Sequence, residues 1–146
     1  MAFSVKVTKL HEDAVLPEFQ TAGAAGADVH ARLDEPIVLQ PLERKIIPTG
    51  LAMEVPVGYE IQIRARSGMS IKHGITMVNG IGTIDSDYRG EVGVLAINLS
   101  QEPFTVEPGM RIAQMVVAKY ETFTWKEVDS LSDTDRGEGG YGSSGS

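Results

Sequence analysis

Tyr59-Glu60-Ile61-Gln62-Ile63-Arg64-Ala65-Arg66 decides the fold class of this chain. Tyr59, Ile61, Ile63 and Ala65 alternate with Glu60, Gln62, Arg64 and Arg66. A period of two places the first set on one face of an extended segment and the second on the other, the pattern of a half-buried β-strand. Arg64 and Arg66 are thereby expected to share the polar face.

The same pattern extends outward. Phe3, Val5 and Val7 alternate with polar neighbours at the start of the chain. Turn signals recur at short intervals, as Asp34-Glu35-Pro36, Pro48-Thr49-Gly50, Pro56-Val57-Gly58 and Glu107-Pro108-Gly109. No stretch carries a long helical period. One short helical turn is expected from Ser67 to His73, with Ser67 as its N-cap. The fold class is therefore all-β with one short helix.

Val92–Ile97 and Ile112–Ala118 are apolar on both faces. Either another subunit covers the outer side, or each is a central strand covered internally. The last stretch differs again. From Ser130 to Ser146 only Leu131 and Tyr141 are sizeable apolar residues, and Gly and Ser dominate. Such a segment buries too little surface to stay ordered alone. The organisation expected is a β domain over residues 1–129 and a flexible arm over 130–146.

The 146 residues suit one domain. A net charge of -7 argues against a nucleic-acid or membrane-surface partner, which would need a basic face. The chain has no cysteine, so disulfides and thiolate metal sites are excluded and a reducing, cytoplasmic location is expected. His11, His30 and His73 lack zinc-ligand spacing. No apolar run reaches membrane-spanning length, and the N-terminus lacks the apolar core of a signal peptide.

The densest chemistry lies in Gly80-Ile81-Gly82-Thr83-Ile84-Asp85-Ser86-Asp87-Tyr88-Arg89-Gly90-Glu91. Alone, this block reads either as a hairpin turn with solvated acids or as a site in which one acid acts as a base. Four other blocks share its chemistry. Ala22-Gly23-Ala24-Ala25-Gly26-Ala27-Asp28 ends a small-residue loop in a carboxylate. Arg64-Ala65-Arg66-Ser67-Gly68-Met69 combines cations, a hydroxyl and a helix start, which suits phosphate. Gly109-Met110-Arg111-Ile112-Ala113-Gln114 adds Arg111 and Gln114. Arg136-Gly137-Glu138-Gly139-Gly140-Tyr141-Gly142-Ser143-Ser144-Gly145 adds a cation, an aromatic and backbone N–H groups free of Cβ crowding. Its formal G-x-G-x-x-G match is not a dinucleotide fold, because no helix can follow in four residues. Arginines and hydroxyls set against a few acids form an inventory for a polyphosphate held with Mg²⁺ and attacked by water.

In order and spacing, these five blocks resemble the motifs of the homotrimeric dUTPase family over nearly the whole chain. The resemblance implies a jelly-roll-like β-sandwich or barrel, a homotrimer with sites at subunit interfaces, and hydrolysis of dUTP to dUMP and pyrophosphate. That activity keeps uracil out of DNA and supplies dUMP for dTMP synthesis. It further implies that Asp85 is the general base for the attacking water. Asp28 would hold waters around a Mg²⁺ bound chiefly by the triphosphate. Arg66, Ser67, Gly68 and Gln114 would contact phosphates. Asn79 and the backbone around Gly82, Thr83, Ile84 and Gly93 would read uracil. Tyr88 would pack under the deoxyribose, leaving no room for a 2′-hydroxyl. Arg136 would grip the terminal phosphate while Tyr141, with Gly142 and Ser143, closes over the base.

The chain departs from the family pattern at Ala65, where Pro is frequent, and at Met110, where Asp is common and would pair with Arg111. Tyr141 and Ser144 stand for Phe and Thr. The rival readings are a dCTP deaminase-like enzyme of the same fold and a non-catalytic nucleotide-sensing module. The intact Asp85 turn and Arg136 arm favour the phosphohydrolase.

Overall fold

The structure is a computed structural model that describes residues 3–145. Eleven strands and one helix follow in the order β1 (Lys6–Lys9), β2 (Ala27–His30), β3 (Ile37–Leu39), β4 (Arg44–Pro48), β5 (Leu51–Glu54), β6 (Tyr59–Arg64), α1 (Ser67–His73), β7 (Ile75–Met77), β8 (Gly82–Ile84), β9 (Gly93–Asn98), β10 (Phe104–Val106) and β11 (Arg111–Lys119). The strands make a four-stranded sheet β2-β11-β6-β8, a three-stranded sheet β4-β9-β7 and the pairs β1-β5 and β10-β3. Neighbouring strands are antiparallel throughout. The mostly-β expectation with a single short helix is met.

The alternation in β6 appears as read: Ile61 and Ile63 are buried, Gln62 is half-buried and Arg64 is exposed. The strand nevertheless stops at Arg64. Its neighbour β11 runs on to Arg111 while β6 leaves it, and Gln114 is the last β11 residue paired with β6, with Arg64 on one side and Asp28 on the other. Arg66 is consequently not on the strand face with Arg64. It is the N-cap of α1, with φ -84° and ψ 133°, and Ser67 is the first helical residue, so the expected Ser67 cap is corrected. No side chain caps this end, which leaves the first helical N–H groups without intrahelical acceptors. The helix stops at Gly74, whose φ of 67° suits glycine and whose absent Cβ would stand 2.9 Å from the Ser100 nitrogen.

The expected N-terminal strand begins at Lys6 rather than Phe3, because its partner β5 ends at Glu54 opposite Lys6, and Phe3 packs on the Tyr59 ring at 4.3 Å. Residues 1, 2 and 146 lie outside the described residues.

Val29, Leu39, Ile47, Leu51, Ile63, Val94 and Val106 are fully buried and form the centre of the core. Both two-faced strands are central in their sheets. β9 alternates buried Val94 and Ala96 with half-buried Leu95 and Ile97, and Val117 on β11 is exposed. Burial within the chain thus explains one face of each strand and only part of the other. Beyond β11, the Tyr120 N–H donates to the Gly58 carbonyl at 3.1 Å. Residues 121–138 are all exposed. Phe123 and Trp125 pack edge to face at 5.0 Å on this otherwise uncovered segment.

Candidate active site

The turn between β8 and β9 opens onto a cavity of about 380 Å³. Asn79, Gly82, Thr83, Ile84, Asp85, Tyr88 and Gly93, all named from the sequence, line it together with Ile46, Pro48, Ile63, Met77, Glu91, Val92 and Leu95. Small residues shape its wall. A Cβ on Gly93 would stand 2.5 Å from Ile46 Cγ2, and one on Gly82 would stand 3.2 Å from Ile63 Cβ. Asn79 lies at the tight connection from β7 to β8, where the Gly80 N–H donates to the Met77 carbonyl and φ of Gly80 is 74°. The amide therefore sits at the pocket beside backbone that side chains leave open.

The Asp85 turn is tied down at several points. The Tyr88 N–H donates to the Asp85 carbonyl at 3.2 Å. Arg89 Nη1 donates to the Ser86 carbonyl at 2.7 Å, while Nη2 lies 3.6 Å from Glu54 on β5. Downstream, the Glu91 carboxylate accepts the Gly50 N–H at 2.9 Å. The fully buried Thr49 donates its hydroxyl to the Val92 carbonyl at 2.7 Å and accepts the Leu51 N–H at 3.3 Å. These bonds satisfy backbone groups of an irregular segment, and they hold Asp85 at a defined height over the pocket. Sequence reading treated Pro48-Thr49-Gly50 as a turn, gave Thr49 and Glu54 no part in the site, and quoted Arg89 and Glu91 as members of the acidic block without a role of their own. Their role depends on which strands become neighbours, and no local signal marks it.

A second group gathers around Asp28, which is only 3% exposed. Arg111 Nη1 and Gln114 Nε2 each donate to one of its oxygens at 3.3 Å, and Arg66 Nε stands 3.8 Å away. Arg66 Nη1 also donates to the Arg111 carbonyl at 2.9 Å. With Met at 110, Arg111 pairs with Asp28, and Met110 packs against the core. Gly26 permits the arrangement, since a Cβ there would stand 3.2 Å from Gln114 Oε1. The small-residue loop, the helix entry and β11 thus converge, as their shared chemistry implied, with Ser67 and Gly68 at the adjacent helix start.

The two groups remain apart on one chain. β8 and β11 flank β6 on opposite sides, a separation of roughly 10 Å. Among the described residues, no Lys or Arg lines the Asp85 cavity. The arm joins neither group: Arg136 Nε donates to the Gly139 carbonyl at 2.8 Å, the Ser143 N–H donates to the Gly140 carbonyl, and Tyr141 projects fully into solvent. Gly142 takes a φ of 85° within that local turn.

The family model for dUTPase matches residues 12–145. The chain belongs to the dUTPase family. Deoxyuridine 5'-triphosphate nucleotidohydrolase of Treponema denticola is 56% identical over 138 residues, covering 94% of this chain and 96% of that protein. The enzyme of the same name from Fusobacterium nucleatum is 52% identical, with 97% of each chain covered. Among solved structures, the dUTPase of Staphylococcus bacteriophage 80alpha with dUPNHPP superposes with a TM-score of 0.90 at 29% identity, over 99% of this chain and all of that one. A mutant dUTPase of phage phi11 of S. aureus, described for its coordination of a structural Mg(II) ion, gives a TM-score of 0.80 at 25% identity over 90% of this chain and 100% of that one. As a dUTPase-family member, the chain has a strand-rich body that matches these structures over nine-tenths or more of its length.

Proposed function

We infer that this chain hydrolyses dUTP to dUMP and pyrophosphate, keeping uracil from DNA and providing dUMP. The observation that carries the reading is the pocket in which Asn79, Gly82, Gly93, Tyr88 and Asp85 meet. An Asn amide can pair with one pyrimidine edge, and a mismatched edge would leave a buried polar group unpaired, at about 1–3 kcal/mol. Gly82 and Gly93 bring the backbone close enough to exclude a thymine methyl. Asp85 is exposed at the rim, where it can take a proton from water attacking the α-phosphorus. Tyr88 offers the deoxyribose a flat surface.

The cavity supplies no cation, yet a triphosphate needs several. Arg66, Gln114 and the start of α1 are suited to phosphate but belong to the separate Asp28 group. A homotrimer with shared sites would bring the Asp85 pocket of one chain to the Asp28 group of the next. Half-open faces on β9 and β11, and the exposed aromatics of 121–125, support such an assembly. Residues 1–129 would form its jelly-roll-like body. The arm 130–146 would close with Arg136 on the terminal phosphate and Tyr141, Gly142 and Ser143 over the nucleotide.

The donor set suits a Mg²⁺ that arrives with the triphosphate. Among the described residues no three His, Asp or Glu groups converge on one point. Asp28 stands beside the phosphate-type side chains, and its two hydrogen bonds leave about half of its lone-pair directions free. When bound, the ion would neutralise phosphate charge. Asp28 would accept hydrogen bonds from its water shell, while Arg66 and Arg136 would balance charge that develops on the phosphate oxygens.

The test is pyrophosphate release from dUTP, dCTP, dTTP and UTP measured in parallel, with light scattering on the same sample. Selective turnover of dUTP by a trimer is expected. Release of ammonia from dCTP would indicate a deaminase, and absence of turnover would indicate a sensing module. No helix among the described residues is long and apolar enough to cross a membrane.

A further inference from the structure

Gly90 has no evident backbone reason to be glycine. It is absent from the residues with positive φ, so it does not take the left-handed conformation that favours glycine. Its surroundings differ from that. A Cβ placed there would stand 2.6 Å from Tyr88 Cζ and 3.0 Å from Tyr88 Cε1, and would also collide with the Tyr88 hydroxyl. The ring of Tyr88 therefore folds back over the turn and occupies the volume in which a side chain at position 90 would begin. Its hydroxyl donates to the Glu91 carbonyl at 2.9 Å, which fixes the tilt of the ring.

We propose that Gly90 is a specificity-determining residue, acting with the Glu91 carbonyl to fix the height of the Tyr88 ring beneath the sugar. The inference rests on the reading of Tyr88 as the deoxyribose floor. The two partners are unequal in stiffness. The backbone around Gly90 is held by the Arg89 bonds to Ser86 and Glu54, by the Glu91 bond to Gly50 and by the Thr49 bonds to Val92. Tyr88 is 47% exposed and lines the open pocket. A methyl group at position 90 would therefore displace the ring and leave the chain path in place. Relief to ordinary van der Waals separation requires a movement of about 1 Å, and misplacement of that size beside a reacting substrate can change rates by up to 10²-fold.

The experiment compares wild type, Tyr88→Ala, Gly90→Ala, the double variant and Tyr88→Phe. Readouts are kcat/KM for dUTP and UTP, and the melting temperature. Gly90→Ala should shift the UTP-to-dUTP ratio of kcat/KM on the order of 10-fold, because the displaced ring changes the space beneath the sugar. In the Tyr88→Ala background, where the crowding atoms are gone, it should leave the ratio unchanged. Tyr88→Phe, which keeps the ring and loses its tether, should raise the ratio by a smaller factor. A ratio unmoved by Gly90→Ala but raised by Tyr88→Ala overturns the proposal and leaves the floor intact. A ratio unmoved by Tyr88→Ala overturns both. Persistence of the Gly90→Ala effect without the ring would show that it acts through the backbone, against the proposal. Should Gly90→Ala fail to fold, Tyr88→Phe decides: a raised ratio supports the lock, and an unchanged one overturns it.

Discussion

Asp28→Asn separates a structural carboxylate from one that also serves phosphate chemistry. The substitution keeps the shape of the side chain and one carbonyl-type acceptor. It removes the negative charge shared by Arg111 and Arg66 and replaces the other oxygen by a donor. A hydrogen bond to a charged group contributes about 1.5–3 kcal/mol. Here both bonds are long, at 3.3 Å, and the Arg111 and Arg66 side chains are 45% and 27% exposed. Each guanidinium can recover water once its partner is neutral, so the full buried-pair penalty does not apply. The expected loss is about 1–2 kcal/mol, or roughly 2–8 °C in melting temperature for a chain of this size. Loss of a residue that orients the surroundings of a metal typically costs 10–100-fold in metal affinity or activity. Pyrophosphate release measured over a Mg²⁺ titration should therefore show a raised half-saturation and a kcat down by about that factor. Unchanged kinetics at every Mg²⁺ concentration, accompanied by lowered stability, would refute the catalytic part of the reasoning and leave Asp28 a packing carboxylate.

Asp85→Asn should reduce turnover by about 10²–10⁴-fold while dUTP binding by calorimetry is retained, because other groups hold the phosphates. Deletion of the chain after Leu131 should leave the melting temperature near that of wild type, since residues 132–138 are exposed and the rest of the arm bonds only within itself, and should lower kcat severely; full kcat would reduce the arm to a tail. Leu42 takes a φ of 67° in the turn closed by the Glu43 N–H on the Gln40 carbonyl, and it is exposed. Leu42→Gly should therefore raise stability in urea by roughly 0.5–1 kcal/mol, the relief of left-handed strain less the added chain entropy. The Arg32 hydrogen bond lowers the Asp13 pKa below its ordinary 3.8. That pair contributes stability above the unfolded value and loses it as pH falls through the folded one, so wild type and Asp13→Asn should differ in urea midpoint near neutrality and converge well below about pH 3.8.

Much of this protein was legible without coordinates because its signals are local. The Tyr59–Arg64 alternation needs only the pleat of a strand to declare one buried face. Punctuation by Pro and Gly follows from backbone sterics. The order of the five polar blocks was enough for the resemblance that the comparisons bear out. The exact end of β6 was not legible. Ala65 and Arg66 continue the alternation on paper, yet the chain leaves β11 after Arg64 to enter α1, and a strand needs a partner as well as a pattern.

The site divides along the same line. The sequence by itself determined which side chains could do the chemistry, since a carboxylate, a guanidinium or a missing Cβ has the same capacity in any fold. Only tertiary structure decided which of them meet. It placed Asn79, Tyr88, Asp85 and Gly93 around one cavity and put Asp28 with Arg66, Arg111 and Gln114 on the far side of β6. It also recruited Thr49, Glu54 and Glu91 as supports for the Asp85 turn. Thr49 and Glu54 are distant from the turn in sequence, and their contacts, like the bond from Gly50 to Glu91, exist only once hydrophobic burial has brought β4, β5 and β9 together, which no reading of neighbouring residues can supply.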